Sequence, residues 1–233
     1  MSQIWHALSE GGWKDPELLK LLLAKALGYG VLAGACITKL PQIVNVLKSG
    51  SAEGLSPLSF ELETGGLLVH ASYGYVNELP FSAYGEAFIL FIQSLYLLLL
   101  IYRLARIPSI RSTFSIGLMA AYMAAVYSGR VDSAQVGYLF NANNVVFMAA
   151  RLPQIHSNWR TKNTGQLSLV TCCINTLGCV VRIFTSITEG AGLAMVRGYS
   201  ISLLLNSILV AQIFMYAPSK KKNPKRGAVG KQE

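Results

Sequence analysis

Lys39, Gln42 and Asn45 stand three residues apart, and Arg151, Gln154 and Asn158 repeat that polar pattern further along the chain. Side chains three or four apart share one face of a helix, so each set forms a stripe carrying a cation and two amides. Each stripe contains a proline, Pro41 or Pro153, within the matching strings Lys39-Leu40-Pro41-Gln42-Ile43 and Arg151-Leu152-Pro153-Gln154-Ile155. A proline inside a helix removes one backbone donor and clashes with the preceding turn. The carbonyls near Ile37 and Ala149 are therefore freed, with Gln42 and Gln154 as candidate partners. A lysine and an arginine beside amides suit an anion, above all a phosphate. The plainer alternative is that both cations lie near enough to an interface to snorkel out. A cation deep in a membrane span costs about 2.5–3.5 kcal/mol, and the equivalence of Lys39 and Arg151 favours one shared cavity.

The register of 112 residues, from Pro41 to Pro153, continues downstream without a gap. It sets Leu55-Ser56 on Leu167-Ser168, Glu63 on Asn175 and His70 on Arg182. Glu63 and His70 share a helix face. Their structural role would be an internal ion pair, Glu63 with Lys39 or Arg151; their functional one, a proton relay. With one residue inserted, Gln93 meets Asn206 and Gly85 meets Gly198. Gln93 and Asn206 suit either a sugar hydroxyl or a helix–helix hydrogen bond, with helix contact favoured. Glu86 is expected at the interface.

The sequence has no Ser-His-Asp arrangement, glycine-rich phosphate loop or carboxylate pair, so a non-enzymatic protein without cofactor is expected. His6, His70 and His156 fall on separate elements, and Cys36, Cys172, Cys173 and Cys179 fit no zinc spacing, which argues against a metal centre.

The elements that must hold these residues are membrane helices. Only 13% of the 233 residues are charged, about half the usual share, and 52% are hydrophobic. The apolar runs are continuous rather than alternating, which selects helices over a barrel. At about 20 residues per span there is room for roughly seven. The predicted fold is all-α: a seven-helix transmembrane bundle of two parallel three-helix repeats joined by a linker helix. The first repeat is expected over 17–105, the linker over 106–131, the second repeat over 132–217, and a basic disordered tail over 218–233.

The formal charge of +9 reports topology rather than nucleic-acid binding. Outside the helix cores, Lys48, Arg103, Arg106, Arg111, Arg160, Lys162 and six tail residues gather on one side, and Lys14, Arg130 and Arg197 fall on the other. The positive-inside rule then predicts a cytosolic C-terminus and, with seven spans, a lumenal or extracellular N-terminus.

Paired Pro-Gln motifs on the first helix of each unit, plus a linker helix, resemble the PQ-loop superfamily, which includes SWEET sugar carriers, cystinosin-type exporters and KDEL receptors. Longer strings narrow the resemblance: the run from Gly28 to Gln42, Ser51-Ala52-Glu53-Gly54-Leu55-Ser56, Pro80-Phe81-Ser82 with Gly85-Glu86-Ala87, Thr164-Gly165-Gln166-Leu167-Ser168, and Arg182-Ile183-Phe184-Thr185-Ser186-Ile187. Together they resemble the mannose-P-dolichol utilization defect 1 protein family over nearly the whole chain. That resemblance implies a multi-pass protein of the endoplasmic reticulum membrane. It would be required for lumenal use of dolichol-phosphate-mannose and -glucose in N-glycan and GPI-anchor assembly. The expected partner is a dolichol-phosphate-linked sugar, held by Lys39 and Arg151 at the phosphate, with Gln42, Gln154 and Asn206 near the sugar. Pro41, Pro153, Glu63, His70, Asn175 and Arg182 complete the candidate site. The alternatives are a carrier for a free small solute, a sugar or cationic amino acid, and a non-transporting assembly factor or receptor.

Overall fold

The computed structural model describes residues 15–149, 151–164 and 168–216. The segment holding Trp5 and Trp13 and the basic tail expected over 218–233 lie outside the described residues. The described chain is all-helical: α1 (Pro16–Thr38), α2 (Leu40–Ser49), α3 (Pro57–Val76), α4 (Phe81–Leu104), α5 (Ser109–Tyr127), α6 (Ser133–Ala149), α7 (Leu152–Thr161), α8 (Leu169–Thr188) and α9 (Leu193–Met215). α1 with α2, and α6 with α7, are single rods broken at the prolines, so seven rods build the bundle.

Local sequence explains the ends. Asp15 accepts a hydrogen bond from the Glu17 N–H and Pro16 occupies the first turn of α1. The Leu-Ser echo of the repeat has a structural cause. Ser56 caps α3 by accepting from the Ser59 N–H, and Ser168 caps α8 in the same way from Thr171. Gly50 ends α2 in the left-handed region at φ 60°, with its N–H on the Val46 carbonyl.

Both repeats pack alike. α4 lies between α1 and α3, and α9 packs against α6, α7 and α8. Between the units the contacts are exchanged: α3 packs on α6, and α8 packs on α1. This reciprocity gives two parallel three-helix repeats about an axis along the bundle. The linker α5 packs against α3 in the first unit. There Arg111 grips Glu61 through two nitrogens at 3.1 and 2.9 Å, and the Tyr102 hydroxyl donates to the same carboxylate at 2.7 Å.

Four rods are long and apolar enough to cross a membrane on length and composition: Pro16–Ser49, Phe81–Leu104, Leu169–Thr188 and Leu193–Met215. The other three carry polar interruptions, among them Glu61, Glu63 and His70 on α3 and Asn143 and Asn144 on α6. Their alternation in direction brings Lys48, Arg103, Arg106, Arg111, Arg160 and Lys162 to one end, hereafter the basic end. At the opposite end, Ser133 donates to Asn77 at 2.6 Å, tying the start of α6 to the end of α3.

Candidate functional site

The first break is held by its neighbours rather than by its own glutamine. The Gln93 amide on α4 donates to the carbonyls of Ala35 at 3.0 Å and Cys36 at 2.8 Å, and its oxygen accepts from the Lys39 N–H at 3.2 Å. Gln42 is the expected partner, yet α4 supplies the donor instead. At the second break the geometry differs. Gln212 on α9 donates to the Ile155 carbonyl at 3.0 Å and accepts from buried Asn158 at the same distance.

The structure separates the two repeat-related cations. Lys39 is 8% exposed, and its Nζ lies 2.8 Å from Glu63 and 5.4 Å from the centre of the Phe60 ring. The ion pair weighed for Glu63 is therefore made with Lys39. Arg151 lies elsewhere, on the wall of a cavity of about 230 Å³ between α3, α6 and α9. His70, Phe140, Asn144, Met148, Met195, Tyr199, Ser202 and Asn206 share that wall; Lys39 does not. One Arg151 nitrogen donates to the Asn206 oxygen at 3.3 Å. Asn206 is itself oriented by donating to the Ser202 carbonyl at 2.8 Å. Among the described residues no carboxylate pairs with Arg151.

Arg151 also lines a second, outer cavity of about 330 Å³, with Gln154, Thr171 and Asn175. Asn175 occupies the repeat position that Glu63 occupies in the first unit. An acid there neutralises Lys39; an amide leaves Arg151 charged. Pro41, Pro153 and Gln154 are exposed and Gln42 is half-buried.

Arg182 is 4% exposed and is not among the residues lining that cavity. It forms an ion pair with Glu86 on α4, through Nε at 2.9 Å and a second nitrogen, and donates to the Ser82 carbonyl at 2.9 Å. The Ser82 hydroxyl donates to Glu189 at 2.8 Å. Glu86 is thus not a free interfacial acid: a guanidinium that stays charged needs a partner when buried, and Glu86 is the nearest. Among the described residues, the three cations Lys39, Arg151 and Arg182 therefore make two ion pairs, Lys39–Glu63 and Arg182–Glu86, and leave Arg151 without a carboxylate partner.

In the third-helix register, Glu86 corresponds to Tyr199. The repeat-related counterpart of Arg182–Glu86 is therefore His70–Tyr199, whose ring centres are 6.3 Å apart on the cavity wall. His70 also meets Phe140 edge-on at 5.0 Å.

Asn144, Tyr199 and Ser202 were not singled out from the sequence. An amide in the middle of an apolar run was the available signal for Asn144. Its repeat position in the first unit is Leu32, so the duplication offered no echo. Tyr199 and Ser202 are ordinary in membrane helices and carried no signal.

At the opposite end the cavity is sealed. Phe140 and Met195 belong to a buried cluster with Tyr73, Ala83, Val136 and Ala191, and Tyr73 stacks on Phe140 at 4.3 Å. α2 packs on α1 and α4, and α7 on α6 and α9, each within its own repeat, whereas α3 with α6, α1 with α8 and α4 with α8 make contacts between the units.

Comparison with known proteins agrees with this architecture. The PQ loop repeat model matches residues 23–83 and 136–194, one match in each three-helix unit. The human protein named solute carrier family 66 member 3 is 28% identical over 185 residues, covering 78% of this chain and 89% of its own. The solved structure of a eukaryotic SWEET transporter superposes with a TM-score of 0.71 at 14% identity, covering 85% of this chain and 97% of that one, a likeness of fold. A duplicated three-helix unit, a proline break in each copy and a family match over both copies lead to one conclusion: the chain is a multi-pass membrane protein of the PQ-loop repeat family.

Proposed function

We propose that the protein binds the phosphosugar head of a dolichol-phosphate-linked sugar at Arg151 and presents or reorients it in the endoplasmic reticulum membrane, without catalysing a reaction. Its N-terminus would be lumenal and its C-terminus cytosolic, as the basic loops predict. The observation that carries the proposal is Arg151 itself, charged, without a carboxylate partner among the described residues, and facing two cavities. An uncompensated cation inside a bundle is costly, and an anion offsets that cost. A phosphate accepts the two parallel hydrogen bonds a guanidinium offers. Asn144, Tyr199, Ser202 and Asn206 supply donors and acceptors for sugar hydroxyls.

Purified protein should be stabilised thermally by a short-chain polyprenyl-phosphate-mannose and not by free mannose. Arg151→Gln should lose that response while keeping its midpoint near wild type, because no carboxylate is stranded. Stabilisation by free sugar alone, unchanged in Arg151→Gln, would refute the reading. It would instead favour carriage of a free solute, the second reading. That alternative has its own support in the relative named a solute carrier and in the SWEET-like fold.

A further inference from the structure

The cavity at Arg151 holds about 230 Å³, below the roughly 300–1,000 Å³ of sites that enclose a drug-sized ligand. It has room for a head group and none for a polyprenyl chain. On the proposed reading, the chain must leave the bundle sideways.

A groove between α3 and α6, in the seam where the two units meet, lies next to that cavity. It runs from Ser59 to Val69 on α3, about 15 Å of helix, and faces Asn143, Val146 and Phe147 on α6. Its volume is about 480 Å³. Phe147 lines both the groove and the Arg151 cavity, so the two share it as a wall. Leu62, Val146 and Phe147 are exposed along it, yet Glu63 opens onto the same surface with its side chain 38% accessible while holding buried Lys39. Apolar lips beside a half-exposed ion pair do not suit plain hydrocarbon, where a charge is costly. They suit an amphiphile, whose polar head passes the ion pair while its chain stays in lipid.

Two adjacent glycines show how the groove is built. A Cβ on Gly66 would lie 2.5 Å from the Asn143 side-chain oxygen and 2.9 Å from Phe147, and Asn143 donates to the Gly66 carbonyl at 3.2 Å. Gly66 therefore lets α3 and α6 touch at the groove floor. A Cβ on Gly65 would meet nothing within 4 Å. The absent side chain there leaves the groove open.

We propose that the α3–α6 groove is the lateral portal for the lipid chain of the ligand, with Phe147 as the partition across which the phosphosugar head reaches Arg151. This inference rests on the lipid-linked phosphosugar reading and extends it. It is tested by filling the groove at Gly65, where an added Cβ meets nothing within 4 Å and a larger side chain gains helix propensity.

Thermal shifts are measured for wild type, Gly65→Leu, Gly65→Trp and the exposed control Gly30→Trp, with a short-chain polyprenyl-phosphate-mannose and separately with mannose 1-phosphate. Filling the groove should weaken the lipid-linked ligand by roughly tenfold or more, Trp beyond Leu, and leave mannose 1-phosphate and the control unchanged. Equal binding of the lipid-linked ligand by wild type and both Gly65 variants would overturn the portal while leaving the phosphosugar reading intact. Equal losses for both ligands in a variant with wild-type midpoint would overturn it too, because the effect would then lie in the head-group cavity. A wild type that ignores the lipid-linked ligand overturns the functional reading and the portal together.

Discussion

Replacing Glu86 by leucine should destabilise the bundle more than replacing its partner Arg182, because the guanidinium is the more deeply buried of the two charges. Arginine stays protonated in proteins, so a stranded Arg182 keeps its charge. Arg182 is 4% exposed, and among the described residues the hydrogen bond it retains without Glu86 is to the Ser82 carbonyl. Breaking a buried pair costs about 3–5 kcal/mol, and the partial exposure of Glu86, 32% at the side chain, places this case near the lower end. At about 2–4 °C per kcal/mol for a chain of this size, Glu86→Leu should lower the thermal midpoint by about 6–12 °C. Arg182→Leu leaves a carboxylate whose side chain is 32% exposed, and should cost about 1–3 kcal/mol, mostly through the lost hydrogen bonds. The double variant strands no charge and should recover part of the Glu86→Leu loss. The assay is the monomeric fraction surviving a heat series in detergent. A Glu86→Leu midpoint within about 2 °C of wild type, or a double variant as low as the sum of the singles, would refute the reasoning.

Gln93→Leu should lower the midpoint at the first proline break, since it orphans the Ala35 and Cys36 carbonyls at about 1–3 kcal/mol for each buried group; Gln42→Leu, measured alongside, should have little effect. Gly66→Val should reduce the yield of folded protein by forcing α3 and α6 apart, whereas Gly65→Ala should be near neutral in the same size-exclusion assay. A C-terminal tag should be digested by protease added to sealed microsomes and an N-terminal one protected; the reverse pattern would overturn the charge argument.

Much of the architecture was legible because the chain states it twice. The offset between Pro41 and Pro153 exposed the repeat, the breaks and the linker, and the Leu-Ser echo turned out to mark two helix caps. The pairing of the charges was less legible. Lys39 and Arg151 occupy equivalent positions, so the sequence argued for one shared site. Which face of a helix meets which neighbour depends on its rotation in the bundle, and that rotation leaves Lys39 against Glu63 and Arg151 in the cavity. Glu86 looked interfacial because its partner lies 96 residues away on α8. The uncharged wall residues were hardest to find: Tyr199 corresponds to Glu86, and a phenol in place of an acid left no visible echo.

That correspondence bears on stoichiometry. A two-fold arrangement of identical halves offers every pocket twice, and an exact pair would present two equal sites for one ligand. Here the duplication has diverged at a single chemical step on each level: acid against amide at Glu63 and Asn175, acid against phenol at Glu86 and Tyr199. In one half the cation is cancelled locally; in the other it is kept in reserve. Near-symmetry in the scaffold thus coexists with asymmetry in its electrostatics: among the described residues one of the two repeat-related cations is paired with a carboxylate and the other is not.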